Sequence, residues 1–151
     1  KHGKMLIDFC SSFPILRHMH TLIDTTQEPT KELLITESTL SSYCLIIDED
    51  GTFSRTIHIE KNGTYNGTVI ITAKKADITI ETIIDGNNAK SNLRILVLAR
   101  DMSHIAVRGI ATVESPYRKV STRVDQTNIL LGKNTQVRGV PELRIATDDI
   151  E

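Results

Sequence analysis

Cysteine and histidine near the start of the chain could bind a metal. Cys10 is followed by His18 and His20. On a strand, residues two apart project from the same face, so both imidazoles would point the same way. Together with a thiolate they would suit zinc or iron. The sequence has no Cys-x-x-Cys pair and no recognisable fourth ligand, so an ordinary surface role stays open as the alternative.

Cys44 and His104 are the other two candidate metal ligands. Cys44 stands directly before the apolar run 45–47, and His104 directly before Ile105. A thiolate that holds iron or sulfur needs exposure and a lowered pKa, whereas a buried free cysteine usually acts as a small hydrophobe. His58 and His104 alternate with isoleucines, which predicts that both imidazoles face solvent. The default expectation is a small buried hydrophobe for Cys44 and a solvated surface histidine for both His58 and His104.

The sequence gives little support for catalysis. Asp148 and Asp149, with Glu142 nearby, could pair as carboxylates for acid–base chemistry. Nothing near them supplies a nucleophile or a partner base, so we expect a capping or solvated role. The phosphate-binding pattern Gly-x-x-x-x-Gly-Lys-Ser/Thr is absent, so any ATP hydrolysis would come from a partner. We therefore expect a protein that is not an enzyme.

Composition favours an all-β domain. The 151 residues suffice for one domain with a real core, and the apolar residues are mostly Ile, Val and Leu, with no Trp. The formal net charge of −1 predicts no nucleic-acid or membrane partner. Two cysteines make no disulfide framework, which favours the cytoplasm. The glycosylation sequons at Asn62 and Asn66 point the other way, but Asn-Gly is also a turn dipeptide.

Alternating apolar residues after residue 45 predict a series of short strands. The runs are separated by turn sequences such as Asn62-Gly63 and 85–88. A sandwich of hairpins and a β-solenoid both fit this rhythm. We favour the solenoid because successive runs are alike and aromatic residues are few, most of them expected outside the strands. Asn87 and Asn88 are typical of amide ladders at solenoid turns. The sequence thus divides into a flanking segment, 1–44, with a predicted strand at 33–35, and a core domain, 45–151.

The last third of the sequence carries a more specific pattern. It resembles the SufB/SufD family, scaffold proteins of iron–sulfur cluster assembly, over about residues 50–151. The matching positions include Ser121, Gln126 and Asn128 before Leu130-Leu131. The motif that follows has the positions Pro141, Glu142, Leu143, Asp148 and Asp149.

This resemblance implies a right-handed parallel β-helix of the SufB/SufD core type. It implies partners as well, namely a SufB/SufD-type subunit and a SufC-type ATPase, with a homodimer when the chain is isolated. An iron–sulfur cluster would then be possible through the assembled complex, with no cofactor assigned to this chain alone. The sequence ends at Glu151, before the family's Cys/Ser-His segment and C-terminal helices. We therefore expect a short or truncated member.

Two other functions remain open at this stage. One is a secreted β-helix enzyme that acts on polysaccharides, which would need an aligned Asp, Lys and Arg cluster with aromatic platforms. The other is a generic structural β-domain with glycosylated loops, which the two sequons alone support.

Overall fold

The computed structural model describes residues 21–37 and 42–145, and these residues form strands without helices. The described part accordingly contains no helix long and apolar enough to cross a membrane. The strands, in chain order, are β1 (Thr21–Asp24), β2 (Thr30–Ile35), β3 (Ser42–Ile47), β4 (Gly51–Glu60), β5 (Thr64–Ile71), β6 (Lys75–Asp85), β7 (Lys90–Ala99), β8 (His104–Val113), β9 (Ser121–Leu130), β10 (Gln136–Arg138) and β11 (Glu142–Ile145).

The strands lie in two sheets, and the chain alternates between them. Sheet A has the order β1-β3-β5-β7-β9, and sheet B has the order β10-β8-β6-β4-β2, with β11 also paired to β8. Every pairing among the described strands is parallel. The predicted all-β class is confirmed, and parallel pairing is incompatible with a sandwich of antiparallel hairpins.

The parallel register places residues of the same kind next to one another on neighbouring strands. We call residues at the same register position on neighbouring strands a column. In sheet A, Ile47, Ile71 and Val97 form one column, and all three are fully buried. β-branched side chains suit such a column because their restricted rotamers match the pleated surface. The inward columns of the two sheets therefore fill one apolar core, as the alternation in the sequence predicts.

The sheet B column formed by Ile35, Ile59, Ile84 and Val113 continues this pattern. Its first member confirms the strand predicted at residues 33–35. β1 and β2 thus belong to the same two sheets as the later strands, although both precede residue 45.

An amide ladder holds one corner between the sheets. Asn62 and Asn88 adopt positive φ values of 61° and 59° at equivalent turns. The Asn88 Nδ2 donates to Asn62 Oδ1 over 3.1 Å, and Asn62 Nδ2 donates to Glu37 Oε2 over 3.1 Å. A Cβ at Gly86 would overlap the backbone of Lys61, so the close stacking of these turns requires glycine. The predicted ladder is confirmed at Asn88, and its partner is Asn62.

More of the aromatic residues lie on strands than the sequence suggested. Tyr43, Phe53 and Tyr65 all lie on strands and are buried, so the expectation that most aromatics lie outside the strands is wrong for the described residues. The ring of Tyr65 covers Gly67, where a Cβ would overlap its hydroxyl. Gly67, two residues after Tyr65 on the same face, thus leaves space for the Tyr65 ring. The alternation of apolar residues in the sequence does not reveal this pairing of a ring with a glycine.

Burial in these columns predicts the effect of truncating them. Ile57→Ala should lower the free energy of unfolding by about 2–5 kcal/mol, because Ile57 is fully buried and its loss leaves a cavity. Leu34→Ala is the matched control, since Leu34 lies on a neighbouring strand with 57% of its surface exposed. Urea denaturation monitored by circular dichroism measures both. Equal losses in the two variants would contradict the assigned inward and outward faces.

Candidate assembly site

The two ends of the core differ in the side chains that occupy the space between the sheets. At the β1 end, polar side chains enter the space between the sheets. Asp24 follows the inward apolar residue Leu22 on β1, and its carboxylate accepts hydrogen bonds from the Tyr43 hydroxyl at 2.5 Å and from Arg55 Nε at 3.0 Å. Lys31 Nζ lies 3.5 Å from the other carboxylate oxygen. These groups form a buried ionic cluster, defined here as Asp24, Tyr43 and Arg55.

Arg55 is the centre of this cluster. Its side chain is 0% exposed, although it lies between the inward apolar residues Phe53 and Ile57 on β4. Its Nη1 donates to the carbonyl of Ser54 at 2.8 Å and of Pro29 at 3.2 Å, and Nη2 donates to the carbonyl of Thr25 at 2.9 Å. The guanidinium thus satisfies its donors and fastens the loop between β1 and β2 to β4.

The cluster shifts the ionisation of its members. Burial by itself raises the pKa of the Asp24 carboxyl, but the hydrogen bond from Tyr43 and the charge of Arg55 outweigh it, so this pKa lies below its ordinary value. Burial, followed by the hydrogen bond to Asp24, raises the pKa of the Tyr43 hydroxyl well above its usual range. The cluster therefore holds an ionised Asp24 against a neutral Tyr43 and a charged Arg55.

The opposite end of the core is open in the described residues. On β11, Leu143 and Ile145 stand in register with Ala111 and Val113, at inward positions of sheet B. Ala111 and Val113 are buried, whereas Leu143 is 56% exposed and Ile145 is 59% exposed. A cavity of about 180 Å³ separates β11 from β9, and Leu143 lines it together with Val124. Apolar residues that face inward thus have no covering layer among the described strands.

The inward side chains of sheet A include polar residues at this end. On β9 two of the inward positions are taken by Gln126 and Asn128, which stand in register with the apolar residues Ile95 and Val97 of β7. Gln126 Nε2 donates to Asn128 Oδ1 at 3.1 Å. The Gln126 Oε1 is buried without a hydrogen-bond partner among the described residues. Among the described strands β9 is therefore an edge strand with two polar inward side chains, and an edge strand is the usual position for strand-to-strand pairing.

Glu142 belongs to this open end together with its neighbours Pro141 and Leu143. Its carboxylate accepts a hydrogen bond from Arg144 Nε at 2.7 Å and lies 3.7 Å from Arg108 Nη2. The hydrogen bond from Arg144 lowers the pKa of Glu142 below its usual value. Asp148 and Asp149, the other two motif positions, lie outside the described residues, so their predicted roles stay predictions.

Cys44 and His104, the two candidate metal residues, lie far apart in the fold. Cys44 faces outward from β3 in sheet A and is half-buried, and His104 is exposed at the start of β8 in sheet B. The outward positions predicted for His58 and His104 are confirmed. Across residues 21–37 and 42–145, no three His, Cys, Asp or Glu side chains come together as a metal site. Cys10, His18 and His20 lie outside these ranges.

Sequence reasoning missed the ionic cluster altogether. The one available signal is Arg55, a charged residue at a position where alternation demands an apolar side chain. A buried arginine requires a carboxylate partner, but its partner Asp24 lies 31 residues upstream, at the end of a four-residue strand.

Comparison with known proteins gives one match. The model of the SufBD core domain family, described as SUF system FeS cluster assembly, matches residues 53–151. These residues run from β4 through the open end, and they coincide closely with the region of resemblance at residues 50–151. Searches of the curated proteins and of the solved structures returned no match.

The ionic cluster predicts a large loss of stability when its cation is removed. Arg55→Met should lower the free energy of unfolding by about 3–5 kcal/mol, because it removes the closer counter-charge of the buried Asp24 carboxylate and leaves only Lys31, at 3.5 Å. Arg108→Met serves as the control, since Arg108 is 57% exposed and its ion pair with Glu142 is screened by solvent, so its loss should change stability little. Thermal and urea denaturation at pH 7 compare the two, and a similar small loss in both would contradict the structural role of Arg55.

The same cluster predicts how stability depends on acid. The pKa of Asp24 is lower in the folded chain than in the unfolded chain, so its contribution to stability is present above about pH 4, the ordinary value for Asp. It is lost as the pH falls through the folded pKa. Asp24→Asn should therefore be less stable than wild type at pH 7 and lose less stability between about pH 4 and pH 2. Parallel acid curves for the two proteins would show that Asp24 does not carry this dependence.

Proposed function

Because the chain belongs to the SufBD core domain family of SUF-system iron–sulfur cluster assembly proteins, we propose that it is a non-catalytic scaffold subunit. In this proposal it acts in the cytoplasm by pairing with a SufB/SufD-type subunit and working with a SufC-type ATPase. The observation that carries the proposal is the open end at β9 and β11, which lies within the residues matched by the family model.

The proposed architecture is a right-handed parallel β-helix. The supporting observation is that the strands from β1 to β10 alternate between sheets A and B, with parallel pairing throughout the described part. Each connection between two neighbouring strands of one sheet passes through the other sheet. Crossovers between parallel strands are right-handed in nearly all known cases, which supports the handedness.

Pairing at the open end follows from the asymmetry of the core. At the β1 end, Arg55 and Asp24 are buried and bond to each other and to backbone within the chain. The β11 end leaves Leu143 and Ile145 more than half exposed. A partner that covers these side chains would gain the free energy of burying apolar surface and could add backbone hydrogen bonds along β9.

The polysaccharide-active alternative is less well supported. Such enzymes need aromatic platforms on an outer face, whereas Tyr43, Phe53 and Tyr65 are buried in the core. Tyr117, the other aromatic residue in the described part, lies in the loop before β9, where its hydroxyl donates to Asp85 Oδ1 at 3.0 Å.

In the proposed function, an iron–sulfur cluster is cargo of the assembled complex, where several chains can contribute ligands.

A purification experiment tests the proposal. The tagged chain is co-expressed with a SufB/SufD-type subunit and a SufC-type ATPase from the same genome, and the proteins that co-purify are identified. We expect the paired subunit in stoichiometric amount. In sedimentation velocity the isolated chain should form a dimer at high micromolar concentration. A monomeric chain that retains neither partner would overturn the proposal.

Substitutions at the open end make the test specific. Leu143→Arg combined with Ile145→Arg should weaken association on the order of tenfold or more, because it places two charges in an apolar contact. Leu34→Arg is the matched control, since Leu34 is equally exposed at 57% but faces outward from β2. If the control weakens association as much as the double variant does, pairing does not use the open end.

A further inference from the structure

The outer face of sheet A carries a row of apolar side chains. Ile46 on β3, Ile70 on β5 and Leu96 on β7 form one outward column, since they stand in register and their neighbours along each strand face the core. Leu98 and Ile129 extend it at the next outward position of β7 and β9. We call these five residues the outer row. Ile46 is 37% exposed and Ile129 is 39% exposed, so the row reaches solvent.

The outer row differs from the rest of the outward surface. Four residues earlier on β3, β5 and β7, the outward column of sheet A is polar, with the members Ser42, Asn66 and Asn92. On the outer face of sheet B, two adjacent columns through β2, β4 and β6 are also polar, with the members Glu32, Thr56, Glu81 and Thr30, Ser54, Thr79. Strand propensity alone therefore does not account for the row. Single exposed apolar residues are ordinary, but a continuous row marks a contact surface.

A cleft lies beside the outer row, between β7 and β9. It has a volume of about 590 Å³. Leu96 and Thr127 stand in register on one side of it, and Arg94 and Asp125 stand in register on the other. One wall is therefore partly apolar and the opposite wall is charged. Such a cleft suits a group that has an apolar part and a charge next to it.

The charged wall has an excess of cations. Asp125 pairs with Arg123, whose Nε lies 2.6 Å from its Oδ2. Arg94 and Lys90 are exposed on β7 and form no ion pair with the described residues. Asp125 is the one acid at the outward positions of the described strands of sheet A. Beyond the other side of the row, the loops after β3, β5 and β7 carry both signs of charge, at Asp48, Glu49, Lys74 and Arg100. An acidic group is therefore attracted to the Arg94 side.

A helix matches the spacing of the outer row. The row crosses the strands, which lie about 4.8 Å apart, and one helical turn rises about 5.4 Å. Apolar residues one turn apart on a helix would thus each lie over one strand. From β3 to β9 the distance is about 14 Å, which about ten helical residues span. An added strand fits an edge and not a face, because its backbone groups need partners, whereas a helix pairs its own.

We propose that the outer face of sheet A is a docking surface for an acidic amphipathic helix of a partner protein. The apolar side of that helix packs on Ile46, Ile70 and Leu96, and a carboxylate on its edge pairs with Arg94. The surface lies on the outward side of sheet A, whereas Leu143 and Ile145 of the open end lie at inward positions of sheet B. The inference therefore goes beyond the assembly role and does not depend on it.

Two designed helical peptides test the docking surface by fluorescence anisotropy on the full chain at low salt. Each has about 18 residues, with leucines at i, i+4, i+7 and i+11. One peptide carries glutamates beside the leucine stripe, and the other carries lysines there. We expect the glutamate peptide to bind about fivefold more tightly or better, because Arg94 attracts it and repels the lysine peptide. Equal binding of the two peptides, or binding of neither, would overturn the proposal.

Substitution of the cation locates the binding site. Arg94→Glu should reverse the order of the two peptides, because it reverses the charge beside the row. Arg138→Glu is the matched control, since Arg138 is also exposed without an ion pair among the described residues but belongs to sheet B. The control should keep the wild-type preference for the glutamate peptide. An unchanged preference in Arg94→Glu contradicts the proposed contact, and both residues are exposed, so neither change should prevent folding.

Substitution of the row separates apolar packing from charge. Ile46→Ser combined with Leu96→Ser should weaken both peptides about tenfold, because it removes apolar area from the contact. Leu34→Ser, on the outer face of sheet B, is the control and should leave binding unchanged. Circular dichroism checks that each variant is folded. Sedimentation velocity completes the test, since self-association that the double variant abolishes would assign the row to a second copy and overturn the proposal.

Discussion

In-register stacking of inward side chains between two parallel sheets is the constraint on which the rest of the structure depends. Each inward residue, such as Ile59, is packed above and below by its column neighbours Ile35 and Ile84 as well as by the facing sheet. Such an arrangement buries each layer only when the next layer is in place. The ends of the stack, where a column lacks a neighbour, therefore decide what the protein can bind.

The two ends solve this problem differently. At the β1 end a buried charged group, Arg55, donates hydrogen bonds to Asp24 and to backbone carbonyls of the same chain. At the β11 end Leu143 and Ile145 continue the inward columns without a cover among the described residues. Polar groups that are already paired within the chain gain little from a partner, whereas exposed apolar side chains gain free energy when a partner covers them. The two ends of the stack are therefore unlike.

The corners decide how closely successive strands stack. At the corner of Asn62 and Asn88 the side-chain amides bond to one another, and Gly86 permits the backbones to approach. The same Asn62 is the first residue of a glycosylation sequon, yet its amide nitrogen already donates to Glu37. The Asn-Gly sequence is thus accounted for by the packing of the turns.

Period-two alternation and turn residues were sufficient to predict the strands after residue 45, their inward isoleucines and the all-β class, because these features depend on neighbours close in sequence. The tail motif around Pro141 and Leu143 was sufficient for the family. The ionic cluster, the exposure of Leu143 and the outer row around Leu96 were decided only in the folded chain. Each depends on which strands stack next to which, and Asp24 and Arg55 meet only because β1 and β4 lie at the same end of the core.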